Sequence, residues 1–476
     1  MIILDFFVPL LIPVLICGGI LGECGVFAGI PGRLQRRLLL SVYSFSTCFL
    51  VIYLIMFLSH SLQGGVIHKT VLRIELALLV FMCVLAIVKV AAGKVRVPLL
   101  KKEDFLGAAK RNICFCVFLI FLLGYELFIF KYSLVNLPHG EWDAVAIWNM
   151  KAKFLFLGGK DWKVLFSPTL MGSHLDYPLL LPFFVAHSWL HAGDISLPHS
   201  ILAQNLILAV LLVSLFVFVT VITNQFFGLL ATSSVMLSEW FTRHASWQYS
   251  DLLVALWILQ SAFPLFYVYT KGRIEVGSVL LSGVFAGTAC LVKNEGSLWL
   301  LSYCVFAAVL FFRARQRLIL YGIAMAVLSF TVSRQWLNRF SDFQNDLFNS
   351  GTLTLEAITS KLLDYGRIET ITRKLGELIF DFERWGPAPF LFSILVILSV
   401  LSGAVRARTA LVVTVPLFLQ LFGYVGVYWL TPRDLVWHLR FSADRLLLHL
   451  YPLYCLLIFT ILGGFKGKST RIFGGS

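Results

Sequence analysis

Apolar runs of roughly 16 to 25 residues recur along this chain, joined by connections that carry most of the charge. Such a run matches a bilayer: about 20 helical residues cross the ~30 Å hydrocarbon core. Lipid offers the backbone no hydrogen-bond partner, so only helices and closed barrels span it. The runs are continuous rather than alternating, which selects helices. The chain is therefore expected to be an all-α polytopic membrane protein. About thirteen transmembrane helices are predicted, at 6–30, 38–58, 71–92, 112–131, 199–222, 226–240, 250–270, 276–292, 297–312, 317–333, 386–404, 409–430 and 447–464. A shorter apolar stretch at 178–192, containing Pro182, His187 and His191, reads as an interfacial or re-entrant helix.

Composition agrees. The 476 residues are 59% hydrophobic and 13% charged, against about a quarter charged in an ordinary soluble domain. The net charge of +14 sits largely in short loops between runs, which the positive-inside rule explains better than nucleic-acid binding. No basic stripe is interleaved with aromatics, so nucleic acid is not an expected partner. Most of the nine cysteines, including Cys17, Cys48, Cys83, Cys114, Cys116, Cys290, Cys304 and Cys455, lie inside apolar runs without a CxxC pair. They predict neither a disulfide nor a cysteine metal cluster. The first run lacks a basic n-region and a cleavage site, and reads as a retained span.

Basic clusters fall at Arg33/Arg36/Arg37, Lys89 to Arg111, Lys271/Arg273, Arg313/Arg315/Arg317, Arg406/Arg408 and Lys466/Lys468/Arg471. All are cytoplasmic if thirteen spans start from an outside N-terminus and 178–192 does not cross. The same parity puts 132–198, the junction near 241–250, the turn 293–296, the loop 334–385 and the segment 431–446 outside. The first of these is expected to hold interfacial helices, and 334–385 has room for two or three amphipathic ones. Residues 1–111 read as an N-terminal three-helix membrane extension, 112–464 as the transmembrane core and 465–476 as a basic cytoplasmic tail.

Residues with chemical potential gather on this outer side. Glu141, Trp142, Asp143, Trp148, Lys151 and Lys153 suggest an interfacial helix. An aromatic belt with snorkelling lysines accounts for its aromatics but not for carboxylates at a membrane edge. Asp176-Tyr177-Pro178 suits a helix start, where Asp176 either caps or faces a cavity; Asp251, opening the span at 250, has the same two readings. Lys293-Asn294-Glu295-Gly296 interrupts apolar sequence as a tight turn meeting water, or as part of a substrate path. Arg433, Asp434, His438, Arg440, Asp444 and Arg445 form the densest polar segment. Arginine is disfavoured on the outer side, so it calls for a bound anion, or for local pairs Arg433/Asp434 and Asp444/Arg445.

The order of these motifs resembles the C superfamily of membrane glycosyltransferases, in which the relatives are protein O-mannosyltransferases and lipid A aminoarabinose transferases. The likeness covers about residues 112–464, and the motif set Trp142-Asp143…Trp148, Asp176-Tyr177-Pro178, Lys293-Asn294-Glu295-Gly296 and Trp437-His438-Leu439…Ser442…Arg445 is similar to a bacterial branch. Unlike the O-mannosyltransferases, the chain has Trp142 between its two loop carboxylates. The resemblance implies an inverting transferase in the bacterial cytoplasmic (inner) membrane. It would move sugar from a polyprenyl-phosphate donor to a glycan, lipid or protein acceptor of the cell envelope. It implies Asp143 as base or acceptor orienter, with Asp176 and Asp251 orienting the acceptor. Lys293, Arg440 and Arg445 would hold the phosphate, His438 would donate a hydrogen bond, and Glu141, Trp142, Trp148, Tyr177 and Glu295 would line the site. Metal dependence stays open; a divalent cation would fall to Asp143 and Asp251. A lipid-linked-sugar transporter or flippase and a non-catalytic envelope-assembly subunit are the alternatives.

Overall fold

The computed structural model describes residues 2–63, 70–71, 73–77, 80, 84, 112–272, 274–314, 317–338, 354–405 and 407–464. Most of the expected span 71–92, the basic segment 89–111 except for scattered positions before it, Arg273, Arg315, Arg406 and the tail 465–476 lie outside them. Among the described residues the regular structure is helical, with no strands. Nine helices there are long and apolar enough to cross a membrane. Three further apolar helices, Gln225–Met236, Val276–Leu291 and Ala388–Leu401, have 10–17 residues. At 1.5 Å per residue they fall short of the ~30 Å core; these three, with the expected span 71–92 that lies mostly outside the described residues, make up the difference between nine and the thirteen expected.

The chain forms two compact units rather than dividing at residue 111: Met1–Ser167 with Leu179–Val210 and Ser246–Gln248, and Pro168–Pro178 with Leu211–Ala245 and Tyr249–Ser476.

The first unit contains α1 (Ile2–Glu23), α2 (Arg33–Gln63), α3 (Ile113–Asn136), α4 (Asn149–Leu157), α5 (Leu180–Ala192) and the start of α6 (Leu197–Ile222). The stretch expected to be interfacial or re-entrant, α5, packs against α1, α2 and α4. It is buried from Leu180 to Leu190. Phe184 lies 4.3 Å from Phe49 and Phe183 5.4 Å from Tyr53, centroid to centroid. A short helix that is apolar all round belongs in a core. Before α4 comes one π-helical turn, Ala144–Trp148. Here the interfacial reading needs correction: Trp142 is exposed, but Trp148 and Lys151 are both 0% exposed, so Lys151 does not snorkel. Gly140, at φ +76°, makes the entry possible; a Cβ there would come within 2.6 Å of both Ala144 and the Trp247 carbonyl. That close approach lets Glu141 N–H donate to Trp247 O.

The second unit holds α7 (Gln225–Met236), most of α8 (Glu239–Trp247), α9 (Asp251–Lys271), α10 (Val276–Thr288), α11 (Glu295–Ala314), α12 (Leu318–Asn338), α13 (Leu355–Leu362), α14 (Tyr365–Ile379), α15 (Phe382–Trp385), α16 (Ala388–Leu401), α17 (Ala407–Leu430) and α18 (Leu435–Gly464). Its axis is α9, which packs on α10, α11 and α18, and 94% of its apolar window is buried. Interhelical hydrogen bonds tie the core: Trp257 Nε1 to Thr288 Oγ1, Trp299 Nε1 to Ser261 Oγ, and Ser302 Oγ to Gln420 Oε1. Such bonds and small residues at contacts replace the hydrophobic effect in lipid. The described part of 334–385 forms α13, α14 and α15, capped by Thr354, Asp364 and Asp381.

Small residues decide the contact between α10 and α12. Gly283 and Gly287 are four apart, as are Gly322 and Ala326. A Cβ on Gly283 would overlap the Gly322 carbonyl, and one on Gly287 the Ala326 carbonyl. Backbone cannot yield as a side-chain tip can, so Gly287→Leu is expected to lower stability by about 1–3 kcal/mol or more. Thermal unfolding of the purified protein in detergent reads this out. Gly376→Ala, which opens onto empty space, is the matched control and is expected to leave the transition unchanged or slightly raised.

Candidate functional site

The expected site residues divide between the units. Glu141, Trp142, Asp143 and Trp148 belong to the first; Asp176, Tyr177, Asp251, Lys293, Glu295, His438, Arg440 and Arg445 belong to the second. In the second unit four of them converge directly.

Asp251, in the first turn of α9, is 0% exposed. The capping reading does not describe it: its carboxylate reaches across to other helices. Oδ1 accepts from Lys293 Nζ at 3.0 Å and His449 Nε2 at 2.7 Å. Oδ2 accepts from Arg445 Nε at 3.1 Å and Nη2 at 2.9 Å. A carboxylate has about four lone-pair sites, and here four donors use them. Asp251 is thus saturated. To ligate a divalent cation, or to act as a base, it would first have to release one of these donors.

Lys293 arrives through the turn between α10 and α11. That turn is tight because Gly296 presents no side chain to Ala289: a Cβ there would overlap the Ala289 carbonyl. The turn does not expose its lysine to water, since Lys293 is 3% exposed. Its Nζ also lies 3.1 Å from Glu295 Oε1 and 5.9 Å from the Tyr177 ring centroid. Glu295 Oε2 is buried and has no hydrogen-bond partner among the described residues. Asn294, between the two, donates to Asp176 Oδ2 at 2.6 Å, so the Asp-Tyr-Pro segment is fastened to this turn.

Arg445 and His449 come from α18. His438, Ser442, Arg445 and His449 are spaced 4, 3 and 4 residues apart and share one face of it. Arg445 stacks 4.8 Å from the Tyr249 ring centroid. His449 donates from Nε2 to Asp251, so its Nδ1 is the acceptor for Tyr424 O–H at 3.3 Å. His438 Nδ1 pairs with Thr431 Oγ1 at 3.0 Å. Arg440 is off this face and exposed, stacking on its neighbour Phe441. The expected local pair Asp444/Arg445 is replaced. Asp444 pairs with Arg384 at 2.9 Å while Arg445 pairs with Asp251, 194 residues away.

Two cations, Lys293 and Arg445, face two carboxylates, Asp251 and Glu295, so the formal charges cancel. Nearby His244, in α8, adds no charge at neutral pH: burial pushes its pKa down to about 3, Asp251 acting upward and Arg445 downward by less. Around the cluster, Arg367 of α14 closes the C-terminus of α17. Its guanidinium donates to the carbonyls of Tyr428, Trp429 and Thr431 at 3.1–3.3 Å, and so fixes the chain leading into α18.

The sequence reading did not single out His449, Tyr424 or Arg367. For His449 a signal existed: the 4-3-4 spacing from His438 places an imidazole on the Arg445 face. Arg367 carried none, because its partners are backbone carbonyls.

No family model matches the chain, and neither a curated protein nor a solved structure matches it.

Proposed function

We propose that the protein is a membrane glycosyltransferase that moves a sugar from a polyprenyl-phosphate donor to an acceptor on the non-cytoplasmic face of a bacterial inner membrane. The observation that carries this reading is the pair of cations, buried Lys293 and partly buried Arg445, held by one carboxylate beside a second carboxylate, Glu295, with an open oxygen. Guanidinium and ammonium groups so placed suit a phosphate. Asp251 positions them. Glu295 takes the proton of the acceptor hydroxyl or amine as its oxygen or nitrogen bonds to the anomeric carbon. The bond from that carbon to the phosphate oxygen breaks, and the polyprenyl phosphate departs toward Lys293 and Arg445. Asp176, fastened by Asn294, borders the acceptor side, and the acceptor is an envelope glycan, lipid or protein.

The test is transfer from a synthetic polyprenyl-phosphate sugar by the purified protein. Arg445→Ala removes a charge-assisted contact worth about 1.5–3 kcal/mol, so donor affinity is expected to fall by roughly ten- to a hundredfold. Arg445→Lys keeps the charge but loses the fork, and is expected to lie between wild type and alanine. Donor binding that is unchanged in both variants, with folding intact, removes the phosphate role.

A transporter of lipid-linked sugar is the second reading, favoured by Glu126 within the span α3. Carboxylates inside spans often mark transport paths. Movement of donor across liposomes without transfer, abolished by Glu126→Gln, would select it.

A further inference from the structure

The first unit holds a second cluster that the transfer chemistry does not use. His187 and His191 lie four residues apart on α5 and present Nε2 from one face. Between them stands Glu75, whose neighbours 73–77 are helical. Glu75 Oε1 is 2.6 Å from His187 Nε2, and Oε2 is 3.2 Å from His191 Nε2. One ligand atom from each residue lies within 4.8 Å of the other two. The imidazole rings meet edge to face at 4.7 Å.

We propose that Glu75, His187 and His191 form a binding site for a zinc-class divalent transition metal ion. Three features carry this. The first is spacing: ligands held 2.0–2.2 Å from a tetrahedral zinc stand about 3.3 Å apart, so the three atoms need only small rotamer adjustments to close on one ion. The second is charge. Among the described residues the groups that bond Glu75 are the two histidines, with the uncharged Cys48 thiol nearby, and a buried carboxylate needs a positive partner. A divalent ion supplies it while both imidazoles stay neutral, the form that ligates. The third is ligand type: two imidazoles with one carboxylate suit zinc and its first-row neighbours rather than magnesium or calcium, which favour oxygen shells. His187 and Glu75 side chains are 1% and 5% exposed, while His191 at 12% gives the ion a way in. The ion would pin Glu75 to α5 and stabilise the first unit. Nothing in this depends on glycosyl transfer.

The experiment takes the full-length protein in detergent, strips it with a chelator and equilibrates it with Zn²⁺ in the presence of excess Mg²⁺. Elemental analysis after dialysis is expected to find one zinc per chain, with a raised thermal unfolding temperature. His187→Ala, His191→Ala and Glu75→Gln are each expected to weaken retention at least tenfold, while His174→Ala, outside the triad, leaves it unchanged. Where a triad variant does not fold, X-ray absorption of the zinc-loaded wild type decides: a nitrogen and oxygen shell with two imidazoles supports the site. Absence of retained zinc in the wild type overturns the proposal, as does retention unaffected by all three substitutions or a shell without two imidazoles. The cluster is then a hydrogen-bonded Glu-His-His triad and no more.

Discussion

Replacing Asp251 by asparagine is expected to destabilise the protein by about 3–5 kcal/mol, the usual result of leaving a buried charge uncompensated. The carboxylate is fully buried and its four acceptor positions serve Lys293, His449 and Arg445. Asparagine keeps the shape but loses the charge, and its amide nitrogen faces donors. The neutral cluster then carries one excess positive charge among α9, α11 and α18. Thermal unfolding in detergent is the readout, and a second variant separates charge from shape. Asp251→Asn with Lys293→Met removes one charge of each sign, so the pair is expected to recover part of the loss. Strict additivity of the two single changes would show that the charges are not coupled.

Glu295→Gln is expected to affect catalysis far more than stability. Lys293 keeps Asp251 as a partner, so folding should survive. Under the proposed reaction the substitution removes the group that accepts the acceptor's proton, and transfer should fall by roughly 10² to 10⁴. Donor affinity should hold within a few-fold, because no cation is removed. Normal turnover in this variant, measured at saturating donor and acceptor, would take Glu295 out of the proton-accepting role. A loss of donor affinity with turnover intact would instead make it a binding group.

Much of the helical framework was legible because lipid imposes a strong constraint on sequence: an apolar run of span length is hard to mistake. The ambiguous runs were those of intermediate length. Gln225–Met236 and Ala388–Leu401 are as apolar as spans, but each stops short of bilayer thickness. The sequence also showed that 178–192 was too short to cross. It did not show that α5 would be buried, since a helix apolar all round looks the same in a core as at a membrane edge.

Asp251, Lys293, Glu295 and Arg445 could be found because each interrupts apolar sequence. Their pairing could not, because Asp251 and Arg445 meet across 194 residues. Local reading instead offered Asp444 as the nearest partner of Arg445. Arg440 drew attention by composition and lies off the face of α18 that carries Arg445. Lys151 read as a snorkelling residue because sequence distinguishes a lysine near aromatics from one enclosed by them only weakly.

Under the proposed reaction, the balanced charge around Asp251 bears on turnover. A polyprenyl-phosphate sugar is a phosphodiester with one negative charge, whereas the phosphate monoester left after transfer carries close to two near neutrality. A pocket with a large surplus of cations would grip the spent carrier and stall each cycle. Here Lys293 and Arg445 already have carboxylate counterions, so their pull on the incoming diester is modest and grows as charge builds on the leaving oxygen. Once the monoester begins to leave, Asp251 is in place to reclaim both cations, and Glu295 joins it after passing the acceptor's proton to water. A transferase working in the proposed way would then recycle its carrier without waiting for a separate group to displace it.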